Sequence, residues 1–185
     1  MGEPEYQSST TGHRYRDTIK EFTGPVKSDK IPLSMIDFVS LSEAETKKFG
    51  ENFGARLRGG EILALTGNLG SGKTTFAKGL AKSFGVKSRV TSPTFVLLMS
   101  HKARGQSPAK LHHLDLYRLE KTGQLKELGL SEVLSDPRAV TVVEWPEKAK
   151  ALLPARTIYI NFQHGSSPSM RRITISQKYG KQSSG

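Results

Sequence analysis

A glycine-rich stretch at residues 67–75, GNLGSGKTT, constrains what this chain can fold into more than any other part of its sequence. Glycines let the backbone curl so that successive N–H groups point at one anion, and a helix that begins at the end of the loop adds partial positive charge. An apolar segment, 61–66, precedes the stretch, and a helical pattern, 73–84, follows it. This context predicts a phosphate-binding loop (P-loop) rather than an ordinary glycine turn.

Two side chains of the loop have predicted roles in nucleotide binding. We expect Lys73 to reach the β- and γ-phosphates and the Thr74 hydroxyl to bind Mg²⁺. The other residues of the motif are candidates for nucleotide contact through their backbone: Gly67, Asn68, Leu69, Gly70, Ser71, Gly72 and Thr75. Spacing alone therefore predicts a nucleotide site, but it does not distinguish kinases, GTPases, motors and helper ATPases.

A candidate acid for a magnesium site follows a second apolar run. Residues 140–143 are all apolar or small and lead to Glu144. This carboxylate could ligand Mg²⁺ directly or through water, or orient the attacking water; a surface glutamate at a strand end is the alternative. Trp145, the only tryptophan, comes next. Its side chain could pack on the nucleotide or on a partner, or it could simply be part of the hydrophobic core.

The segment VTSPTF, residues 90–95, follows the predicted P-loop helix. Many NTPases keep a switch segment that senses the γ-phosphate at this point of the chain. Thr91, Ser92 and Thr94 offer hydroxyls for such a role. An ordinary turn into the next strand is the competing interpretation.

The segment HHLDLYRLE, residues 112–120, alternates leucines with polar residues. Alternation in a strand predicts that His113, Asp115 and Tyr117 share one face. Asp115 and Arg118 suggest a polar site at the end of a sheet, with a structural Asp–Arg pair as the alternative. We do not expect zinc at the two adjacent histidines, because no further ligands stand at metal spacing.

The net charge of +11 is unevenly distributed. Residues 62–114 contain no acid and eight Lys or Arg, and residues 148–185 contain no acid and seven. This predicts a surface that meets phosphates or an acidic partner, although dispersed lysines could also serve solubility alone. Cysteine is absent, which excludes disulfides and thiolate metal sites and fits a reducing compartment.

The domain organisation is predicted to be simple. Residues 1–35 and 177–185 lack apolar periodicity and are expected to be flexible tails around one domain at 36–176. No apolar run is long enough to span a membrane, and no secretory signal is expected. Strands are predicted at 35–41, 61–66, 94–100, 111–116, 139–145, 157–163 and 172–176.

Helical patterns alternate with these strands. A capping box at Ser42 should begin a helix that ends at the glycines 59–60, and further helices are predicted at 73–84 and 125–134. The turn at 102–108 should connect two antiparallel strands. The alternation predicts an α/β fold, a three-layer P-loop NTPase-like sandwich with a mixed sheet and hairpin-like strands at one edge.

Six stretches together, in this order, resemble the bacterial-type tRNA threonylcarbamoyladenosine biosynthesis ATPase family, the TsaE type. They are GNLGSGKTTFAKGL, VTSPTF, HHLDLYRLE, LKELGLSEVL, VVEWPEKA and LLP, and they span about residues 42–172. The resemblance implies a small ATPase that uses ATP and Mg²⁺. It would assist a complex of TsaD and TsaB type subunits that places threonylcarbamoyl on the adenosine beside the anticodon of ANN-decoding tRNAs, and hydrolysis would reset that complex between turnovers.

The resemblance also implies roles for individual residues of the catalytic site. Lys73 would bind phosphate, and Thr74 with Glu144 would hold Mg²⁺. Asp115 would be the essential acid near the γ-phosphate, and Thr94 would be the switch hydroxyl.

Further positions are implied around the rest of the nucleotide. The helix after Ser42 would approach the adenine, with Thr46 as the candidate residue. Arg171 or Arg172 would close over the nucleotide from the last strand. Trp145 would lie near the nucleotide or the partner interface.

The chain departs from the family pattern in its N-terminal extension of about 35 residues and in the basic turn at 102–110. We expect a cytoplasmic protein, or an organellar one if a transit peptide precedes this extension. A small-molecule kinase is the alternative function, although no lid with spaced arginines or acceptor site is evident. A non-enzymatic tRNA-binding module that uses ATP as a switch is a third hypothesis.

Overall fold

The computed structural model describes residues 36–88, 97–104, 108–119, 123, 125 and 128–177. The expected tail at 1–35 lies outside these ranges, as do all but the first residue of the expected tail at 177–185 and the whole expected switch segment at 90–95, which includes Thr94. No helix in the described ranges is long and apolar enough to cross a membrane.

Seven strands and four helical segments make up the described fold. The strands are β1 Ile36–Ser40, β2 Ile62–Thr66, β3 Leu98–Lys102, β4 Lys110–Asp115, β5 Ala139–Glu144, β6 Ile158–His164 and β7 Arg171–Ser176. The helices are α1 Glu43–Gly54, α2 Lys73–Ser83 and α3 Leu130–Ser135, with a 3-10 helix at Pro146–Leu152. The strand positions predicted from the sequence agree with these bounds to within a few residues.

All seven strands form one sheet in the order β1-β7-β6-β2-β5-β4-β3. The four strands β6, β2, β5 and β4 are parallel to their neighbours in this group. The pairs β1–β7, β6–β7 and β3–β4 are antiparallel. The predicted mixed sheet is therefore confirmed, and the carboxyl ends of the central strands lie together along one end of the sheet.

Hydrophobic cores cover both faces of the sheet and produce three layers. One face packs against α1 and α2 through a cluster of aromatic rings, Phe38, Phe49, Phe53, Phe76 and Phe162. The other face packs under α3 and the 3-10 helix through Ile62, Leu114, Leu130, Leu134 and Val143. The sandwich predicted from the alternation of strands and helices is the observed architecture.

The helices α1 and α2 approach each other closely. A Cβ added to Gly79 would lie 2.1 Å from the carbonyl oxygen of Lys47, and one added to Gly50 would lie 2.4 Å from that of Phe76. Real Cβ atoms do not tolerate such distances, so only glycine fits at this crossing. The close approach fixes α2, whose first residue is Lys73, against the rest of the domain.

The start of α1 is as predicted, whereas its end is not. The amide of Glu45 donates to Ser42 Oγ at 3.2 Å, and the Glu45 carboxylate accepts from the amide of Leu41, which confirms the capping box. The helix ends at Gly54, not at the glycines 59–60. Leu57 is nevertheless buried, because the chain continues in hydrogen-bonded turns beneath the helix.

The helix predicted at 125–134 is also corrected. The described helix α3 begins at Leu130, and Gly129 before it has a φ of +61°. This left-handed conformation interrupts an α-helix, so the pattern does not form one continuous helix through Gly129. Leu125 is itself helical and belongs to the same core as Leu130.

Candidate functional site

The candidate site lies at the carboxyl end of the central parallel strands. In the register of the sheet, Leu65 of β2 pairs with Glu144 of β5, and Glu144 pairs with Asp115 of β4. The loop after β2 is the predicted P-loop. The sheet therefore brings the P-loop and two predicted acids, Glu144 and Asp115, to one place although they are far apart in sequence.

The loop geometry requires glycine at its first position. Gly67 has a φ of +130°, and an added Cβ would lie 2.2 Å from the carbonyl oxygen of Phe162 on β6. Gly70 and Gly72 also have positive φ values, of 74° and 104°. The loop leads directly into α2, whose first amides have no partners within the helix. Curled backbone and helix N-terminus together make a site for a phosphate group.

Lys73 lies almost completely buried at the start of α2, with 4% of its surface exposed. Its ammonium group donates to the carbonyl oxygens of Gly67 at 2.7 Å and Asn68 at 2.9 Å. Burial lowers the pKa of Lys73, and the nearby carboxylates of Glu144 and Asp115 oppose that shift. The ammonium is thus held within the P-loop by carbonyls that a bound phosphate could replace.

Thr74 and Glu144, the two residues predicted to hold Mg²⁺, are in direct contact. The Thr74 hydroxyl lies 3.0 Å and 3.1 Å from the two carboxylate oxygens of Glu144. A second donor, His113 Nε2, lies 2.9 Å from Glu144 Oε1. Mg²⁺ in nucleotide sites is bound through one or two protein oxygens plus phosphates and water, and this pair supplies such oxygens beside the loop. The donor set therefore fits Mg²⁺.

A denser metal cage is not present in the described residues, where no group of three His, Asp or Glu side chains is close enough to hold an ion. His112, one of the two histidines considered from the sequence, is bonded to Ser100 and lies near Asp136 instead.

Asp115 faces the same cavity as the loop. Its Oδ1 accepts from the amide of Tyr117 at 3.0 Å, so the carboxylate is held in a tight turn at the end of β4. The cavity has a volume of about 220 Å³. It is lined by Leu69, Gly70, Ser71, Gly72, Lys73, Thr74, Thr75, Asp115, Tyr117, Glu144 and Trp145. Most of the residues predicted from the sequence as nucleotide contacts or catalytic groups therefore share one cavity.

A second cavity, of about 420 Å³, adjoins the other side of the loop. Thr46 lines it, and its hydroxyl is paired with Ser40 Oγ at 2.7 Å. Arg171 lines it as well and donates to the carbonyl oxygen of Gly70 at 3.1 Å. Gly70, Gly72 and Thr75 border both cavities, so one elongated ligand could occupy the two spaces across the loop.

The structure does not bring Arg172 to the site. Its guanidinium donates from Nε to both carboxylate oxygens of Asp37 on β1, at 2.9 Å and 3.1 Å. Neighbouring residues on a strand point to opposite faces, so only one of the two arginines can turn toward the loop. That residue is Arg171, and Arg172 ties β7 to the edge strand β1.

Trp145 closes the cavity from the side of β5. Its φ of 59° is the only positive value at a non-glycine residue in the described part of the chain. The Lys73 ammonium lies 4.2 Å from the centre of its ring, and the Tyr117 ring lies 5.0 Å away. Backbone strain of this kind is frequent at functional sites and needs support from the surrounding structure.

Part of that support comes from Lys148, whose structural role is not predicted from the sequence. Its ammonium group donates to the backbone carbonyls of Tyr117 and Leu119, the latter at 3.0 Å. The lysine thereby joins the turn after β4 to the 3-10 helix after Trp145. His113 is likewise not predicted as a partner of Glu144. The sequence shows only that two adjacent histidines precede Asp115. This pattern does not indicate that His113 bonds to Glu144.

Comparison with known proteins agrees with this geometry. The profile of the family described as "Threonylcarbamoyl adenosine biosynthesis protein TsaE" matches residues 40–173. A protein of Rickettsia bellii, named tRNA threonylcarbamoyladenosine biosynthesis protein TsaE, is 42% identical over 123 residues, covering 66% of this chain and 82% of its own length. A protein of Treponema pallidum with the same name is 36% identical over 125 residues, covering 68% and 89%.

A solved structure shares the fold of this chain. The crystal structure of YdiB from Bacillus subtilis superposes with a TM-score of 0.63 and 27% sequence identity, covering 79% of this chain and 87% of that one. The region matched by the family profile includes the P-loop, both acids and Trp145. The chain belongs to the TsaE family of threonylcarbamoyl adenosine biosynthesis proteins.

Proposed function

We propose that this protein is a Mg²⁺-dependent ATPase that assists the complex installing threonylcarbamoyl on the adenosine beside the anticodon of tRNA. The observation that carries the proposal is the direct contact of Thr74 with Glu144 beside the P-loop, at 3.0 Å. The relatives described above are named as proteins of tRNA threonylcarbamoyladenosine biosynthesis. Membership of the family supports a role in tRNA threonylcarbamoyladenosine biosynthesis, and the geometry of the site supports Mg²⁺-dependent ATP hydrolysis.

The phosphates of ATP would occupy the P-loop, with Lys73 turning from the loop carbonyls toward the β- and γ-phosphates. Glu144 and the Thr74 hydroxyl would hold Mg²⁺. When bound, the metal would supply positive charge to the phosphate oxygens as the terminal bond breaks. The buried setting of Lys73 and Glu144 strengthens their interactions with charge, because little water is present to screen it.

Asp115 would act on the attacking water. Its Oδ1 is committed to the amide of Tyr117, and the carboxylate lines the cavity in front of the loop. A carboxylate in this position can orient a water molecule and accept its proton. Thr94 stays a prediction as the hydroxyl that senses the γ-phosphate, because it lies outside the described residues.

The adenosine part of ATP would extend into the second cavity. Thr46 and Arg171 line that space, and Arg171 is already anchored to the loop through the carbonyl of Gly70. An arginine there can cover the nucleotide by stacking on a planar base or pairing with a phosphate. The proposal therefore replaces Arg172 by Arg171 as the residue that closes over the nucleotide.

The proposed partners are the TsaD and TsaB type subunits of the transferase complex, with a further contact to tRNA. The exposed cations that could serve tRNA lie at the end of the sheet opposite the P-loop. We call this surface the basic end, and it consists of Lys87, Lys102, Arg104 and Arg138. None of the four is paired with an acid in the described part of the chain. Such cations attract phosphate backbones through long-range electrostatics.

The proposal is tested by measuring ATP hydrolysis with and without the purified partner complex. We expect slow basal hydrolysis that rises sharply when the complex is added. Glu144→Ala should abolish turnover while ATP still binds. Absence of stimulation, or unchanged tRNA modification in cells that lack the protein, would refute the proposal. Transfer of labelled γ-phosphate to a metabolite rather than to water would support the kinase alternative.

A further inference from the structure

His113 is a buried residue on β4 that makes direct contact with the proposed metal-binding acid. The residue is fully buried, and Nε2 lies 2.9 Å from Glu144 Oε1. The two residues come from neighbouring parallel strands, whose register places His113 opposite Val142 and Asp115 opposite Glu144. Both partners are therefore attached to the rigid centre of the sheet.

The chemistry of the pair fixes the donor. An ionised carboxylate can only accept hydrogen bonds, so Nε2 must carry the proton and donate it to Oε1. The other ring nitrogen, Nδ1, is buried and has no hydrogen-bond partner among the described residues. A buried ring nitrogen without a hydrogen-bond partner costs free energy of folding, so an apolar side chain would fill this space at lower cost. The presence of histidine here indicates that the Nε2 hydrogen bond has a functional role.

The hydrogen bond determines how the Glu144 carboxylate is oriented. The Thr74 hydroxyl is nearly equidistant from the two carboxylate oxygens, at 3.0 Å and 3.1 Å, so it does not distinguish between them. His113 bonds only to Oε1. A glutamate side chain can rotate about its last bond at little cost. The imidazole restricts that rotation and leaves Oε2 without a hydrogen bond from His113.

A second buried histidine, on the edge strand β3, lies on the same face of the sheet as His113. His101 on β3 lies on the same face, because Met99, two residues before it, is the residue paired with His113. His101 is buried, and its Nδ1 is bonded to Ser88 Oγ at 2.6 Å. The strand that carries His113 thus lies between β5 and β3, and its buried ring shares this face of the sheet with His101.

We propose that His113 is a positioning residue that holds Glu144 Oε1 and thereby presents Oε2, with the Thr74 hydroxyl, to Mg²⁺. The inference rests on the proposed function, since it requires Thr74 and Glu144 to hold the metal. Residues that bond to metal-ligating carboxylates commonly change metal affinity by about 10- to 100-fold when they are removed. His113 should affect the contribution of Mg²⁺ to nucleotide binding and leave metal-free binding unchanged.

The test is isothermal titration calorimetry with the non-hydrolysable analogue AMP-PNP, once with Mg²⁺ and once with EDTA. Four variants are compared with the wild type: His113→Leu, His113→Gln, His113→Asn and His112→Leu. Glutamine places its amide nitrogen near the position of imidazole Nε2, whereas asparagine places it near Nδ1, out of reach of Oε1. Leucine removes the donor and keeps the volume.

His112 provides the matched control. It is also a buried histidine of β4, but it lies on the opposite face, with Nδ1 bonded to Ser100 Oγ at 2.7 Å. Replacing a buried histidine should lower the thermal midpoint in both positions. Only at His113 should it also change the response to Mg²⁺.

We expect the gain in AMP-PNP affinity from Mg²⁺ to shrink by about tenfold in His113→Leu and His113→Asn. The gain should stay near the wild-type value in His113→Gln and His112→Leu, and all variants should bind equally in EDTA. Should the leucine variant not fold, the contrast between glutamine and asparagine decides the question. If Mg²⁺ raises the AMP-PNP affinity equally in the glutamine and asparagine variants, the inference is overturned. The proposed function is unaffected by that result as long as Mg²⁺ raises the affinity of the wild type. A wild type without any gain would overturn the metal assignment itself, and the inference with it.

Discussion

The two ends of the central sheet differ in how they hold charge. At the carboxyl end, Lys73, Asp115 and Glu144 are all less than a tenth exposed and are bonded to groups of the loop and neighbouring strands. At the basic end, Lys102, Arg104 and their neighbours extend into solvent. Both ends carry ionisable side chains, but the four cations of the basic end are exposed, whereas the charged groups of the carboxyl end are buried and bonded.

This difference determines what each end can do. Buried charges act strongly over short distances, because low dielectric and fixed geometry raise the energy of each interaction. Solvated charges contribute little individually and are weakened by salt, so their effect comes from their sum. We therefore expect single substitutions at the carboxyl end to have large effects and those at the basic end to have small, additive ones.

The largest effect is expected for Asp115→Asn. Asparagine keeps the oxygen that accepts from the amide of Tyr117, so the turn at the end of β4 should survive. The substitution removes the group proposed to accept a proton from water, which should slow ATP hydrolysis at least about 100-fold. Hydrolysis is measured in the presence of the partner complex, with ATP binding measured separately. Normal turnover would show that the buried acid has only a structural role.

Lys73→Ala should reduce the affinity for ATP by about 10- to 100-fold, the range expected when a charged hydrogen-bond donor to phosphate is removed. Lys78→Ala, a substitution of another lysine of α2, is the control, because Lys78 does not line either cavity of the site. Direct titration with ATP and Mg²⁺ compares the two. Similar reductions in both variants would mean that general charge, and not the buried position, governs binding.

A smaller effect is expected at the basic end. Replacing Lys102, Arg104 and Arg138 together by alanine should weaken tRNA binding. The slope of log affinity against log salt should fall by about one for each phosphate that is no longer neutralised. The measurement is a tRNA titration at several salt concentrations.

The control for this variant removes three charges elsewhere: Lys47, Lys48 and Arg172. These residues lie on α1 and β7, away from the basic end. If the affinity for tRNA and its salt slope change equally in both variants, the basic end is not the tRNA contact. An acidic protein partner would then be the favoured ligand of the basic end.

The smallest effect concerns stability at low pH. Asp136 borders the basic end, and hydrogen bonds from Lys110 and the amide of Arg138 lower its pKa from 3.8 to about 2. A depressed carboxyl pKa contributes stability above its ordinary value and loses it as pH falls toward about 2. Asp136→Asn should therefore be less stable than wild type near neutral pH, and the difference should vanish in that acidic window. Urea unfolding across this range measures it, and a constant difference would contradict the assignment.

The parts of the site that depend on local sequence could be predicted. Glycine spacing identifies the loop from Gly67, and an apolar run that ends in an acid identifies Glu144, because both signals lie within a few consecutive residues. The bond between His113 and Glu144 could not be predicted. It depends on β4 pairing in parallel with β5, and that register is set by the packing of the whole sheet.

Register also explains the two arginines of β7. They are adjacent, so either could have turned toward the loop; the pairing of β7 with β1 placed Arg172 against Asp37. The end of α1 was mispredicted for a related reason. Leu57 continues the apolar spacing of Phe49 and Phe53, and its burial does not require it to be helical.

The position of Trp145 has a practical consequence. It is the only tryptophan among 185 residues, and its ring lies 4.2 Å from the Lys73 ammonium. Indole emission responds to nearby charge and polarity, so movement of that ammonium onto a phosphate would alter the intrinsic fluorescence of the whole protein. The chain therefore contains its own optical reporter, with which nucleotide arrival can be timed in a stopped-flow instrument without any added label.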